Sequence, residues 1–362
     1  MFVIRPIAQK DLEKLLELLK ASGHGLTTLP KDRTILKRRI TLSERSFAER
    51  DTDKPRGEDY LFVMEEIFTG NIVGVCAIIS KIGGFEPYYF YRVETELKES
   101  KSADITNEVT TLHPHLVHNG PAEICSLYLH PKYRNAQNGR FLSLSRFLFM
   151  AENRHLFETE VIAEMRGVVN KDGVSPFWDA IGSHIFKIDF PQADYLYVKS
   201  RRFIEDLMPK HPIIANLLPE EAQEVIAQVH PKTEPAKRIL EKEGFSFSGL
   251  VGIFEGGIVL NSEVANIRTV KESVVGEIAE ISERPFKSTT YIIALTGAHF
   301  RSTLGSVTRL RNGGLKIDGV TAAALKIRLG DTIRYSTFNP NIKLKPVKKP
   351  KKRTKKKAKG KR

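Results

Sequence analysis

The stretch EICSLYLHPKYRNAQNGRFLSLSRF, residues 123–147, decides the fold. Ala122–His130 is an apolar, strand-forming run, and Phe141–Ala151 is apolar on most sides, as a buried helix is. Between them, the basic and small residues from Arg134 to Arg140 form a turn that opens directly onto that helix. At such a junction several backbone N–H groups lack an intrahelical partner and the helix dipole is positive. The turn is therefore suited to cradle a pyrophosphate, with Arg134 and Arg140 as charge-assisted donors. With a single glycine, Gly139, the pattern is equally that of an ordinary strand-to-helix connection.

Working outward, strands and helices alternate over about 250 residues. Phe2–Ile7 reads as a strand, and Leu12, Leu15, Leu16 and Leu19 place one apolar face on a helix over Lys10–Ser22 that stops at Gly23-His24-Gly25. A second helix is expected from Asp32 to Phe47, and Tyr60–Glu66 with Ile72–Lys81 reads as an antiparallel hairpin around Thr69-Gly70-Asn71. Val161–Val169 is a further strand. Helical segments near Phe203–Met208, Glu220–Val229 and Pro235–Glu243 are punctuated by Pro209, Pro212, Pro219 and Pro231. Beyond Gly256-Gly257 the texture changes to short β-type runs: Val274–Ile281, Tyr291–Leu295, Gly305–Arg311 and Asp331–Phe338.

The net charge of +14 on 362 residues suggests nucleic acid until it is located. Thirteen of the 57 lysines and arginines lie in Lys343–Arg362, which has no acid, so the remainder balances at 44 basic against 43 acidic residues. That tail is low-complexity and self-repelling and is expected to be disordered. No run approaches the ~18 apolar residues of a membrane helix, and the N-terminus lacks a signal pattern, so a cytoplasmic protein without membrane contact is expected. The two cysteines, Cys76 and Cys125, sit in apolar runs and read as buried reduced thiols.

The helix–Gly–Phe–strand pattern of PAKRILEKEGF, residues 235–245, is the one that GNAT acyltransferases carry after their CoA-binding turn. With CSLYLHPKYR (125–134), AEMRGV (163–168), SPFWDAIG (175–182), LMPKHPI (207–213), QVHPKT (228–233) and IRLGDT (327–332), the chain resembles the arginine N-succinyltransferase family over roughly residues 1–335. The resemblance implies an α+β fold, a GNAT-like mixed sheet flanked by helices. It divides the chain into an acyltransferase region (1–258, with a helical insertion at about 175–232), a small mostly-β C-terminal segment (259–340) and the basic tail (341–362).

The resemblance further implies transfer of succinyl from succinyl-CoA to the α-amino group of L-arginine by direct attack in a ternary complex, with no permanent cofactor, no metal and a homo-oligomeric assembly. His230, in QVHPKT, is then the proton donor to the departing thiolate; from spacing alone it reads as a helix-end cap. Leu127 serves the thioester through its main chain, and Arg134, Gln137, Gly139 and Arg140 bind the CoA phosphates. Gln137 replaces a family glycine, where a left-handed backbone is harder for a glutamine. Glu164 and Arg166 in AEMRG are substrate-binding candidates, or simply a salt bridge with each other. Trp178 reads as core. His113 and His115, in TLHPHL, are close enough in sequence to share a metal but have no Cys partner and no i, i+4 helical pairing, so no zinc site is expected. Other readings are the same chemistry on ornithine or another amine, and a non-catalytic polyanion-binding protein using Lys343–Arg362.

Overall fold

A computed structural model describes residues 1–22, 28–49, 52–170, 173–286, 288–297 and 299–339. The chain opens with strand β1 (Phe2–Pro6), followed by helices α1 (Leu12–Lys20) and α2 (Arg33–Ala48). Leu12, Leu15, Leu18 and Leu19 are the buried face of α1, and the Asp32 side chain caps α2 by accepting from the Thr34 and Ile35 amides. The expected hairpin follows as β2 (Asp59–Glu66) and β3 (Asn71–Ile79).

A second, longer hairpin was not legible in the sequence: β4 (Tyr88–Ser100) with β5 (Ile105–Val117). From Glu94 to Asn107 both of its faces are exposed, so no alternation of apolar and polar residues marks it. Then come β6 (Ala122–Leu129), α3 (Ala136–Glu152) and β7 (Glu160–Glu164).

Residues 175–232 hold α4 (Ser183–Phe186), α5 (Phe190–Lys199), α6 (Arg202–Leu207), the short β8 (Ile213–Ile214) and α7 (Glu220–Glu224). Trp178 is fully buried there, stacked between Phe186 and Phe254, which makes it core. Helix α8 (Glu234–Glu243) ends at Gly244, whose φ of 104° requires the freedom of glycine, and leads into β9 (Ser246–Gly252) and β10 (Ile258–Glu263). Strand β10 crosses the division expected at 258/259 and lies between β7 and β9, so the change of texture at Gly256-Gly257 marks a turn inside the sheet.

After α9 (Arg268–Lys271) come β11 (Val274–Ser282), β12 (Thr290–Leu295), β13 (Ser302–Arg309), β14 (Leu315–Asp318), α10 (Gly319–Leu325) and β15 (Thr332–Thr337). The strands form one continuous mixed sheet in the order β12-β15-β11-β14-β13-β1-β2-β3-β6-β7-β10-β9-β4-β5-β8. The C-terminal segment shares the main core: Phe300 meets Phe62 at 5.4 Å and Phe149 at 5.2 Å, and Phe149 belongs to α3. Helix α3 is buried on all sides because it is packed between that segment, β3 and α8. No helix among the described residues is long and apolar enough to cross a membrane. The expected helix stop at residues 23–25 and the basic tail lie outside the described residues.

Candidate active site

Strands β6 and β7 run parallel but are paired only at Ala122 with Val161 and Glu123 with Ile162. Beyond that point they part, and a cavity of about 1440 Å³ opens between β6, β7, α3, α5 and α8. On β6 the ladder to β3 slips between Cys125 and Tyr128, and Ser126 takes a φ of 54°. This bulge turns the backbone at Ser126 and Leu127 out of the regular ladder beside the cavity. Two arginines brace it: the half-buried Arg39 donates to the Ser126 hydroxyl at 3.1 Å while paired with Asp59 at 2.6 Å, and the buried Arg146 reaches the Cys125 carbonyl at 3.5 Å. Cys125 is half-buried on the cavity wall, not fully buried as expected. Burial, with Glu123 nearby, pushes its thiol up to about 12, which leaves it without nucleophilic thiolate.

At the start of α3 the structure corrects the reading of Gln137. Gln137 lies in the first helical turn and has no positive φ, so it carries no left-handed strain. The Asn135 side chain caps the helix, accepting from the Gln137 amide at 3.1 Å and the Asn138 amide at 2.7 Å. An anion at this helix end must displace that cap. Gly139 faces open space, with nothing within 4 Å of where a Cβ would stand. Arg134 donates to the Leu129 carbonyl at 2.9 Å and lies over the Tyr128 ring. Arg140 is partly drawn into the buried cluster of Glu243 and Arg268, 3.4 Å from the Glu243 carboxylate, yet its Nε is buried without a partner.

His230 faces the same cavity from the turn before α8. Its own amide donates to the Arg166 carbonyl at 2.9 Å, and the Lys232 amide donates to its Nδ1 at 3.1 Å. That cap leaves Nε2 as the proton-bearing nitrogen of the neutral ring. Burial, then Arg166 and Lys232, lowers its pKa, so the ring is mostly neutral at pH 7.

Glu164 and Arg166 are not a pair. The Tyr88 hydroxyl donates to Glu164 at 3.1 Å, while Arg166 Nε lies 3.8 Å from Glu255, which accepts from the Gly167 amide at 2.8 Å. A Cβ at Gly252 would stand 2.2 Å from a Glu164 oxygen, so any larger residue there must push the carboxylate aside. Around them the structure gathers residues that sequence reasoning missed: Glu123 on β6, Asp194 on α5, Glu255, and Arg201, whose guanidinium lies over the Tyr88 and Tyr197 rings at 4.3 and 4.9 Å. Burial raises Glu123, Glu164 and Glu255 to about 7 and Asp194 to about 6. One signal was available: Glu123 is the only charged residue in an otherwise apolar strand. His113 and His115 lie elsewhere, on β5, beside Glu94 and Arg92 respectively.

A cavity with a helix N-terminus at one end, a bulged strand along its side and titratable groups around it suits a long phosphorylated co-substrate and a small polar acceptor. The family model described as arginine N-succinyltransferase beta subunit matches residues 2–269. The chain is 40% identical over 337 residues to an arginine N-succinyltransferase of Salmonella schwarzengrund, covering 92% of this chain and 97% of that protein. It is 39% identical over 336 residues to the enzyme of the same name from Citrobacter koseri, with the same coverage. Its fold is similar to that of arginine/ornithine succinyltransferase subunit AI from Pseudomonas aeruginosa, with a TM-score of 0.82 at 30% identity over 94% of this chain and 99% of that one.

Proposed function

This chain belongs to the arginine N-succinyltransferase family, and from that premise we propose that it moves a succinyl group from succinyl-CoA to the α-amino nitrogen of L-arginine. It is an acyltransferase with the GNAT-like fold of that family. The observation that carries the reading is the single cavity bounded by the β6 bulge on one side and His230 on the other.

The acyl-CoA lies with its pyrophosphate at the N-terminus of α3, where Gly139 leaves room and Arg134 and Arg140 stand near, Gln137 contributing through its amide once Asn135 yields. Its thioester reaches the bulge, where the main chain at Leu127 receives the carbonyl oxygen. The deprotonated amine attacks the thioester carbon, the C–S bond breaks, the leaving thiolate accepts a hydrogen bond from His230 Nε2–H, and water supplies the proton that makes it a thiol. Overall one ammonium becomes an amide, CoA leaves as a thiol, and one proton is released. Glu164 and Arg166 serve the substrates from the cavity wall. The succinyl carboxylate requires a cation, and Arg201, which makes no salt bridge among the described residues, is the one we assign.

Arginine-dependent release of free thiol from succinyl-CoA by the purified protein tests this function; release that is independent of arginine, or faster with acetyl-CoA, overturns it. Ornithine in place of arginine measures acceptor range. Assembly as a homo-oligomer is proposed on the exposed Leu97 and Ile105 of the β4–β5 hairpin, with light scattering as the check. Lys343–Arg362 is proposed to add salt-dependent polyanion binding apart from catalysis. Its removal should abolish such binding and leave succinylation unchanged, whereas a several-fold loss of turnover at both low and high salt would tie the tail to the reaction.

A further inference from the structure

The cavity wall holds a carboxylate with no role so far. Glu123 is only 6% exposed, lines the cavity, and makes no hydrogen bond or ion pair through its side chain among the described residues. Arg201 and Arg39 act on it only from beyond ion-pair distance, and a buried carboxylate with no hydrogen-bond partner is costly unless a ligand supplies one. Its neighbours are differently engaged. Glu164 accepts from Tyr88, Glu255 accepts from the Gly167 amide and faces Arg166, and Arg201 is spread over the two tyrosine rings. Glu255 Oε1, 3.8 Å from Arg166 Nε, is also buried without a hydrogen bond.

Position along the strands says which part of a ligand arrives there. Glu123 marks the last paired position of β6 and β7, the closed end of the splay. The bulge at Ser126 and Leu127, where the thioester is placed, lies three residues on, roughly 10 Å at ~3.3 Å per residue. The α-amino nitrogen must stand at the thioester carbon, so the group that reaches Glu123 is the far end of the acceptor.

We propose that Glu123, together with Glu164, is the seat of the acceptor's distal cation, the guanidinium of arginine or the ammonium of a shorter dibasic amino acid, and so selects acceptors by charge. This rests on the function assigned above. A planar guanidinium presents donors in a fork that two neighbouring carboxylates satisfy together, and an uncharged side chain in that position leaves the carboxylates unpaired.

The test compares the wild type with Glu123→Gln, and with Glu164→Gln as a second variant, on L-arginine, L-ornithine and the neutral L-norleucine. Each variant should raise the KM for arginine about 10- to 100-fold with a much smaller change in kcat, the usual size of a lost hydrogen bond to a charged group. The KM for succinyl-CoA should hold, and norleucine should be used no worse than by the wild type. Thermal melting with and without arginine supplies a readout independent of turnover: arginine, but not norleucine, should stabilise the wild type, and Glu123→Gln should lose that shift while melting no lower by itself. An unchanged KM for arginine overturns the proposal, as does a collapse of kcat at constant KM, which would make Glu123 a base for the α-ammonium. Were the wild type inactive on arginine, the assigned function would fall, and the melting shift would still decide whether a cation sits at Glu123.

Discussion

The Lys232 amide donates to His230 Nδ1 at 3.1 Å, so one ring nitrogen serves as a cap while the other is left to the cavity. The two roles separate by substitution. In His230→Asn the side-chain oxygen can still accept from the Lys232 amide, and His230→Ala loses both functions. Turnover should drop by about 10²–10³-fold in both variants, the usual cost of removing one hydrogen-bond donor from developing negative charge, with melting preserved better in the asparagine variant. Near-normal kcat in His230→Asn would reduce His230 to a cap.

The open space at Gly139 is a test of the phosphate site. Since a Cβ there would touch nothing within 4 Å, Gly139→Val should melt close to the wild type apart from the ~0.5 kcal/mol scale of helix propensity. It should nevertheless weaken CoA binding at least tenfold, because the added methyls stand where the pyrophosphate approaches. Titration calorimetry with CoA reads this directly, and unaltered affinity would move the phosphates elsewhere. Gln137→Gly, which relieves no strain, should leave CoA affinity nearly unchanged.

Arg201 is assigned to the succinyl carboxylate, so Arg201→Gln should raise the KM for succinyl-CoA about 10- to 100-fold and leave acetyl-CoA, which has no such carboxylate, as poor a donor as before. Equal effects on both thioesters would show that Arg201 only packs against Tyr88 and Tyr197.

The raised carboxylates make a prediction about pH. Glu123 and Glu164 rise from 4.5 to about 7 through burial first, with Glu164 next to Glu123, Glu255 next to Glu164 and Asp59 acting in the same sense, against Arg39, Arg201 and the Tyr88 hydroxyl. The folded state therefore holds these protons more tightly than the unfolded chain. Their stabilising contribution is present in full below about 4.5 and is lost as pH rises through about 7. Melting of the ligand-free protein should fall between about pH 5 and pH 8, and Glu123→Gln should fall less. A variant whose pH profile matches the wild type would mean that Glu123 is not among the groups being titrated.

The sequence by itself determined the local elements and the family. The strand, turn and buried helix from Ala122 to Ala151, the β2–β3 hairpin and the faces of α1 and α8 follow from interactions within a few residues, which periodicity and capping residues report. It was silent where local signals are weak, as in the β4–β5 hairpin, whose outer half is exposed on both faces, and α10, a seven-residue helix within a run of strands.

Only the tertiary structure decided the site. His130-Pro131-Lys132 and His230-Pro231-Lys232 make the same local bond, the lysine amide to histidine Nδ1 at 3.2 and 3.1 Å, so the sequence alone does not distinguish them. His230 is on the cavity wall because α8, which follows it, packs on α3 and lines the cavity, and His130 is not among the lining residues. Glu123 and Glu164 are likewise far apart along the chain and meet because α3 carries β7 back to lie parallel to β6. Local hydrogen bonds depend on residues a few places away, whereas the order of strands in a sheet depends on which buried faces fit together, and that fit brought the cavity-wall residues together.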